Sequence, residues 1–377
     1  MAGRGVGAVT TGTNAHPTEG QVAAAAARPK PKRLVKRVKK SALKRVVVAL
    51  GGNAAYPPTI TGTAEEQLEL MREVCVHFVD IIRAGWQLVL THGNGPVVGN
   101  ILYRMAKTAD ELPPMPMDVC VAHSQGGMGY MLQQSFANVL HDHGMNAVVS
   151  CVITEVQVDA DDPAFQNPTK PVGKFFKEAE AKKLARSSGW LFAEDSGRGW
   201  RRMVASPKPR KILDLPTIDA LLEAGVLPIA CGGGGVPVIV TPEGHIKGVA
   251  AVIDKDLTSA MLAAHLHADA LIMLTGVEQV AVDFNKPTQR WLDHMTLAQA
   301  RQHAADGQFP PGSMGPKIEA AITYLQESPE ANQNGVVIIT SLEKAFEALM
   351  GRAGTHITVG AKPAASSPPS PAPATTL

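Results

Sequence analysis

The chain has 377 residues, of which 45% are hydrophobic, and a formal net charge of +2 at pH 7. It is long enough to bury one large core or two modest ones, since single domains run about 100 to 250 residues. No apolar run approaches the roughly 20 residues needed to cross a bilayer, so the sequence predicts no membrane-spanning helix.

Basic residues are concentrated in an N-terminal arm, residues 1–44. Residues 1–45 carry eleven Lys or Arg and a single acid, Glu19, whereas the rest of the chain is mildly acidic. A basic segment poor in acids is typical of organelle targeting, which would place the protein in a mitochondrion or plastid. The alternative is a disordered arm on a cytoplasmic protein. The arm lacks aromatic residues to stack on bases, which disfavours nucleic-acid binding.

Between residues 45 and 359, short continuous apolar runs alternate with longer helical patterns. Continuous hydrophobicity marks strands buried on both faces, so we expect an α/β fold with a mainly parallel sheet. The predicted strands are 46–50, 86–90, 147–153, 226–230, 270–274 and 335–340. The predicted helices are 63–84, 95–108, 119–142, 216–224, 256–267, 296–304, 315–327 and 341–350. The tail, residues 360–377, is rich in Pro and Ser and is predicted to be disordered.

Residues 154–206 interrupt this alternation with a polar stretch rich in Pro and Gly. About fifty residues without a clear strand or helix pattern indicate an excursion from the sheet. The excursion is either a small lid lobe over a ligand crevice or a passive surface insertion. Aromatic residues such as Phe175 and Phe176 favour an ordered lobe.

Four predicted strands run directly into glycine, in the segments VVVALGGN, LVLTHGNGP, LPIACGGGG and LIMLTGV. In an open parallel sheet, ligands bind beyond the carboxyl ends of the strands. Glycines after several strands therefore predict one shared crevice at that edge of the sheet.

The segment LTHGNGPVVGN, residues 90–100, resembles a dinucleotide-binding loop but departs from it. Its spacing is G-x-G-x-x-x-G, and the second glycine is followed by Pro96, which has no N–H to offer a pyrophosphate. Proline suits the first turn of a helix, so the loop is predicted to open a helix facing the crevice. The chain also lacks the G-x-x-x-x-G-K-[ST] motif of ordinary P-loop proteins.

Cysteine and histidine spacing predicts no metal site. The four cysteines lie far apart without a CxxC pair. The pairs His141/His143 and His265/His267 fall in helical patterns, where residues two apart point to different faces.

Glycine loops and lysines together point to phosphate chemistry. The segments Gly51–Asn53 and Gly232–Gly235 can present backbone N–H groups to an anion, although tight turns would also explain them. Lys255, between two acids, and Lys317, after a glycine loop, each lie at a predicted helix start, where a cation is unfavourable unless an anion is near. Lys170, held between prolines in the excursion, is a third candidate to neutralise a transferring phosphoryl group.

The glycine loops and the segments around Lys170, Lys255 and Lys317 resemble those of the carbamate kinases of the amino acid kinase superfamily, both in amino-acid sequence and in their order along the chain. The resemblance spans about residues 45–359, and NPTKP and GRGWRR in the excursion separate carbamate kinases from the other amino acid kinases. It implies a three-layer α/β/α fold, a homodimer, and reversible phosphoryl transfer between ATP and carbamate. Family members usually run this reaction toward ATP in arginine catabolism.

The resemblance also implies site roles. Gly51, Gly52 and Asn53 would hold the phosphoryl group, and Gly93, Asn94 and Gly95 the carbamate side. Lys170, Lys255, Asp256 and Lys317 would be catalytic, with Lys317 also at the nucleotide phosphates. The remaining nucleotide-binding residues would be Gly232, Gly233, Gly234, Thr275 and Gly276. Mg²⁺ would accompany ATP or ADP, held mostly through water and phosphate.

The residue at position 49 helps to distinguish a carbamate kinase from a kinase of another amino acid derivative. Many superfamily members have a lysine there, just before the glycines, whereas this chain has Ala49. The resemblance implies that carbamate kinases generally lack this lysine, and Lys170 from the excursion would supply the missing charge. A kinase of another amino acid derivative should have the lysine and lack NPTKP, and a catalytically dead sensor should not retain all four catalytic side chains.

Overall fold

The computed structural model describes residues 44–51, 56–57, 60–195, 197–310, 312–328 and 335–360. The expectations for the basic arm up to residue 43 and for the tail from residue 361 lie outside the described residues. So do Gly52 and Asn53, two of the predicted phosphoryl-binding residues.

The helices of the described residues are α1 Ala64–Val76, α2 Val79–Arg83, α3 Val97–Lys107, α4 Met117–Asp142, α5 Glu178–Ser188, α6 Leu215–Glu223, α7 Lys255–His265, α8 Leu297–Ala305, α9 Met314–Glu327 and α10 Ala345–Leu349. The strands are β1 Arg45–Leu50, β2 Gln87–His92, β3 Val148–Cys151, β4 Glu155–Val158, β5 Lys170–Phe176, β6 Leu191–Glu194, β7 Trp200–Val204, β8 Pro209–Ile212, β9 Val226–Ile229, β10 Val236–Val240, β11 Ile246–Gly248, β12 Ala270–Leu274, β13 Val280–Val282, β14 Arg290–Leu292, β15 His294–Thr296, β16 Val336–Thr340 and β17 Thr355–Thr358.

Eight strands form the central sheet in the order β15-β17-β16-β12-β1-β2-β9-β3. Every neighbouring pair in it is parallel except β16 and β17. The predicted mainly parallel sheet is therefore confirmed. Strand β2 runs two residues past its predicted end, because Thr91 and His92 continue the register opposite Ala49 and Leu50.

Helices cover both faces of this sheet, which confirms the three-layer α/β/α architecture. Along β1, Val47 and Ala49 belong to a core shared with α7 and α9, while Val46 and Val48 belong to a second core shared with α1 and α4. All four side chains are fully buried. Burial on both faces is the physical reason for the unbroken apolar runs in the sequence.

The excursion at 154–206 contains regular structure that the sequence pattern did not predict. Strand β4 joins a second, four-stranded sheet, β11-β10-β4-β8. Strands β5, β7 and β6 form an antiparallel three-stranded sheet, and α5 lies between β5 and β6 in the chain. We call residues 170–204 the lobe. Its strands carry many half-exposed residues, so their apolar pattern is weaker than that of the central strands.

Glycine allows the lobe to lie directly on α3. A Cβ atom at Gly99 would come within 2.1 Å of the Cα of Gly173, which itself has φ of +77°. The rings of Tyr103 and Phe176 pack edge to face beside this contact, with centroids 5.6 Å apart. The third glycine of LTHGNGPVVGN therefore serves helix–lobe packing.

Most predicted helices agree with the structure in existence and approximate extent. The helix predicted at 341–350 is a 3₁₀ turn, Leu342–Lys344, followed by the five-residue α10. The predicted helix at 63–84 is two helices, α1 and α2, separated at His77 and Phe78. Phe78 is fully buried in the core on the α1 face of the sheet. Among the described residues, no helix combines the length and the apolar character needed to cross a bilayer.

Candidate active site

The predicted glycine loops lie side by side at the carboxyl edge of the central sheet. Strands β12, β1, β2 and β9 are consecutive and parallel, so the loops that follow them are neighbours in space. The loop after β2 is tied to β1, since the Gly93 N–H donates to Leu50 O at 3.1 Å. The loop after β12 begins at Thr275, whose N–H donates to Thr340 O at 2.9 Å, and Gly276 after it has no atom near the position of a Cβ.

The loop Gly93–Gly95 leads into α3, as the sequence predicted. Gly95 has φ of +50°, Pro96 takes the N-cap position and α3 begins at Val97. Asn94 is buried, with 7% of its surface exposed, and its Nδ2 donates to Gly233 O at 3.3 Å. This contact joins the loop after β2 to the loop after β9.

Close packing explains the glycines after β9. A Cβ at Gly232 would lie 2.4 Å from His92 Nε2, and a Cβ at Gly233 would lie 2.3 Å from Asn94 Oδ1. Gly233 also has φ of +66°, a conformation that side chains disfavour. The sequence predicts that these glycines bind the nucleotide. In the structure they are buried and let the loop after β9 approach the loop after β2.

A cluster of two lysines and one aspartate lies where α7 and α9 begin. Lys255 Nζ lies 2.5 Å from Asp256 Oδ1, and Lys317 Nζ lies 3.0 Å from Asp256 Oδ2. The three side chains are only 8 to 12% exposed. Three lysines are predicted from the sequence to contact phosphate. Two of them, Lys255 and Lys317, therefore share the carboxylate of Asp256.

The three residues of the acid–lysine–acid triplet have different functions, and Asp254 caps α7. The Asp254 carboxylate accepts a hydrogen bond from the Asp256 N–H at 2.9 Å. An N-terminal cap accounts for this first acid, whereas Lys255 and Asp256 make the buried contacts described above.

Burial and charge compete in setting the protonation of the cluster. Burial raises the pKa of Asp256, but the ammonium groups of Lys255 and Lys317 outweigh burial and hold its pKa well below the ordinary value. Burial, followed by the nearby charge of Lys255, lowers the pKa of Lys317. Asp256 is therefore ionised and cannot supply a proton near neutral pH.

Lys170, the first residue of the lobe, reaches the same helix terminus. Its Nζ lies 2.9 Å from Asp254 Oδ2 and 3.2 Å from Ile253 O. Both side chains are partly exposed, Lys170 by 23% and Asp254 by 27%. Burial raises the pKa of Asp254, but the charge and hydrogen bond of Lys170 and the charge of Lys255 together outweigh burial, and the net shift is downward.

Two polar residues at the end of β2 were not predicted from the sequence. Thr91 Oγ1 lies 2.7 Å from Ser259 Oγ, which ties the strand to α7. The imidazole of His92 is fully buried, its Nε2 has no hydrogen-bond partner, and burial lowers its pKa to about 4. Two polar residues ending an apolar strand were the available signal, because buried polar groups need partners.

Comparison with known proteins identifies the family of this chain. A model of the amino acid kinase family matches residues 44–338. The carbamate kinase of Pyrococcus furiosus is 47% identical over 316 residues, covering 83% of this chain and 99% of its own. Carbamate kinase from Giardia lamblia bound to AMP-PNP gives a TM-score of 0.76 at 41% identity, over 84% of this chain and 99% of that one. The Giardia lamblia enzyme bound to citric acid gives a TM-score of 0.79 at 40% identity, over the same shares. The chain therefore belongs to the amino acid kinase family, and within it to the carbamate kinases.

Proposed function

We propose that this protein transfers a phosphoryl group reversibly between ATP and carbamate, giving ADP and carbamoyl phosphate. The observation that carries the proposal is the buried cluster of Lys255, Asp256 and Lys317 at the carboxyl edge of the sheet. Phosphoryl transfer needs fixed positive charge around the moving group, and a buried, paired lysine cluster supplies it.

The two buried lysines retain donors for phosphate. An ammonium group has three N–H donors, and Asp256 accepts one from each lysine. The remaining donors of Lys255 and Lys317 are available to oxygens of the transferring phosphoryl group and of the nucleotide. Both carboxylate oxygens of Asp256 are engaged, so its proposed function is to orient the lysines.

The reaction requires no general base from the protein. In the direction of ATP, a β-phosphate oxygen of ADP attacks the phosphorus of carbamoyl phosphate, and the bond from phosphorus to the carbamate oxygen breaks. Carbamate leaves as an anion, so no proton has to be transferred. Catalysis then rests on positioning and electrostatics, with Gly93, Asn94 and Gly95 proposed at the carbamate side and Gly51, Gly52 and Asn53 at the phosphoryl group.

Lys170 is proposed to contribute the third positive charge. Ala49 is fully buried on the side of the sheet that packs against α7, where many superfamily members have a lysine. The Lys170 ammonium lies at the N-terminus of α7 beside Asp254. A lobe that brings this charge to the site can also exclude water from carbamoyl phosphate.

Mg²⁺ is proposed to accompany the nucleotide. Within the described part of the chain, no group of three or more His, Cys, Asp or Glu side chains could hold a metal ion. Asp254 and Asp256 are each ion-paired with lysine. These residues fit a metal held mainly by phosphate oxygens and water, where it neutralises phosphate charge. We propose Thr275 and Gly276 at the nucleotide, because Gly276 is exposed at the same edge of the sheet.

Assay of the purified protein with ADP, Mg²⁺ and carbamoyl phosphate tests the proposal. We expect ATP formation that depends on carbamoyl phosphate, with N-acetylglutamyl phosphate giving little or none. Binding of ADP and carbamoyl phosphate without ATP formation would instead identify a sensor and overturn the enzymatic proposal.

Three further proposals concern the cellular setting. We propose that flux runs toward ATP in arginine catabolism, which predicts that carbamoyl phosphate accumulates when the protein is depleted from arginine-fed cells.

We propose a homodimer, which light scattering after gel filtration tests. We also propose that the basic arm targets the protein to an organelle and is removed, which N-terminal sequencing of the mature protein tests.

A further inference from the structure

We propose that Ser124, on α4, is a positioning residue that sets the orientation of the Asn94 side-chain amide. The inference rests on the proposed function, in which Asn94 lies at the carbamate side of the crevice. It concerns a residue far from the glycine and lysine motifs in sequence.

Asn94 is clamped between α4 and the loop after β9. Ser124 Oγ lies 2.6 Å from Asn94 Oδ1, and Asn94 Nδ2 lies 3.3 Å from Gly233 O. Ser124 is fully buried and Asn94 is 7% exposed. Gly233 offers no side chain on this face, since a Cβ there would lie 2.3 Å from Asn94 Oδ1. The amide therefore has little room and few partners.

Hydrogen-bond chemistry gives this amide one orientation. A backbone carbonyl such as Gly233 O only accepts, so the amide nitrogen must face it. The amide oxygen then faces Ser124, whose hydroxyl is the donor that it requires. One N–H of Asn94 is used by Gly233 O, and we assign the second to an oxygen of carbamate or of the carbamoyl group.

The Ser124 hydroxyl has a competing acceptor, Val121 O, at 2.7 Å. Serine often bonds to a carbonyl of its own helix, with no consequence for function. Val121 O, however, lies within α4 and can accept the helical N–H four residues on. Asn94 Oδ1 would be buried without a donor if the hydroxyl turned away, and an unsatisfied buried acceptor is costly. Donation to Asn94 therefore dominates.

Ser124→Ala removes one of the two hydrogen bonds that hold the amide of Asn94, and leaves only the longer contact of Nδ2 with Gly233 O to orient it. We expect kcat/KM for carbamoyl phosphate to fall at least about fivefold while the KM for ADP changes less than about twofold. Ser135→Ala is the matched control, since Ser135 is also buried on α4 and donates to Leu68 O at 3.2 Å. It should lower the melting temperature to a similar extent and leave the kinetics unchanged.

A double-mutant cycle separates positioning from general packing. In an Asn94→Ala background, Ser124→Ala should cost less than about twofold, because the serine then has no amide to orient. If the parent protein is active, two results would overturn this inference and leave the proposed function standing. One is an equal loss from Ser124→Ala in both backgrounds, and the other is a Ser124→Ala protein with the kinetics of the parent. A parent protein with no kinase activity would overturn the proposed function and this inference with it.

Ser124→Cys carries the same test if Ser124→Ala does not fold. The thiol occupies a similar position but is a weak donor. The same selective loss for carbamoyl phosphate is expected, and kinetics equal to those of the parent would contradict the proposal.

Discussion

Two groups of lysine–aspartate contacts meet at the start of α7 and are held in different ways. Lys255, Asp256 and Lys317 are nearly buried and belong to helices packed on the central sheet. Lys170 belongs to the lobe, and its contact with Asp254 is partly exposed. The contacts on Asp256 are positioned by the core of the protein, whereas the contact of Lys170 with Asp254 depends on where the lobe lies. Charge that is fixed by the core is preorganised, and charge on a lobe can be delivered when substrate binds.

Asp256→Asn should have the largest effect, because it leaves two buried ammonium groups without a carboxylate. Breaking a buried ion pair costs about 3 to 5 kcal/mol of stability, and we expect turnover to fall at least about a hundredfold. Denaturant unfolding and the ATP-forming assay measure the two effects. Asp142→Asn is the control, since Asp142 is 49% exposed in its pair with Arg72. Unchanged turnover in Asp256→Asn would show that the buried cluster is not the catalytic one.

Lys170→Ala should affect turnover without affecting the fold. The contact is partly exposed, so its loss should change stability by less than about 1 kcal/mol. Removing the charge that we propose contacts phosphate should lower turnover at least about tenfold. Lys182→Ala, at an exposed lysine of α5 in the same lobe, is the matched control and should retain activity. A Lys170→Ala protein with full turnover would remove the lobe from the mechanism.

Gly99→Ala tests whether the lobe must lie close to α3. The added methyl group would meet the Gly173 backbone at 2.1 Å, so the lobe must move away and carry Lys170 with it. We expect turnover to fall several-fold while the central sheet stays folded. Gly127→Ala on α4 is the control, because its Cβ would meet no atom within 4 Å. Equal turnover in the two variants would mean that lobe position does not limit the reaction.

Protonation of His92 should lower the stability of the protein and have little effect on the contact of Lys170 with Asp254. Burial lowers its pKa from 6.5 to about 4, so the unfolded chain binds a proton at a higher pH than the folded protein does. Stability contributed by this site is therefore complete above about pH 6.5 and is lost as the pH falls toward 4, by up to about 3 kcal/mol. His92→Gln should flatten this part of the unfolding profile. His141→Gln, at an exposed histidine, should keep the slope of the parent protein.

Prediction from sequence succeeded where burial is two-sided and failed where it is partial. The strand predicted at 270–274 is β12 with the same bounds, and all five of its residues are buried. Strand β6 was not predicted, and none of its residues is buried. Short antiparallel strands at a surface leave a weak apolar pattern, because neighbouring chain segments supply most of their stabilisation.

The candidate site was predictable in its residue types but not in its pairings. Glycine after a strand and lysine at a helix start indicate phosphate chemistry, so Lys255 and Lys317 could be singled out. Their common carboxylate, Asp256, lies 61 positions from Lys317 in the chain, and local sequence carries no information about which side chains meet across that separation.

The sequence by itself determined the α/β class, the sheet edge at which ligand binding is proposed and the lysines proposed for phosphate, because periodicity, glycine and charge act locally. Only the tertiary structure decided which lysines share Asp256, that Gly232 and Gly233 pack against His92 and Asn94, and that Ser124 contacts Asn94. These contacts join separate elements of the chain. They depend on the order of strands in the sheet, which brings the loops after β1, β2, β9 and β12 together.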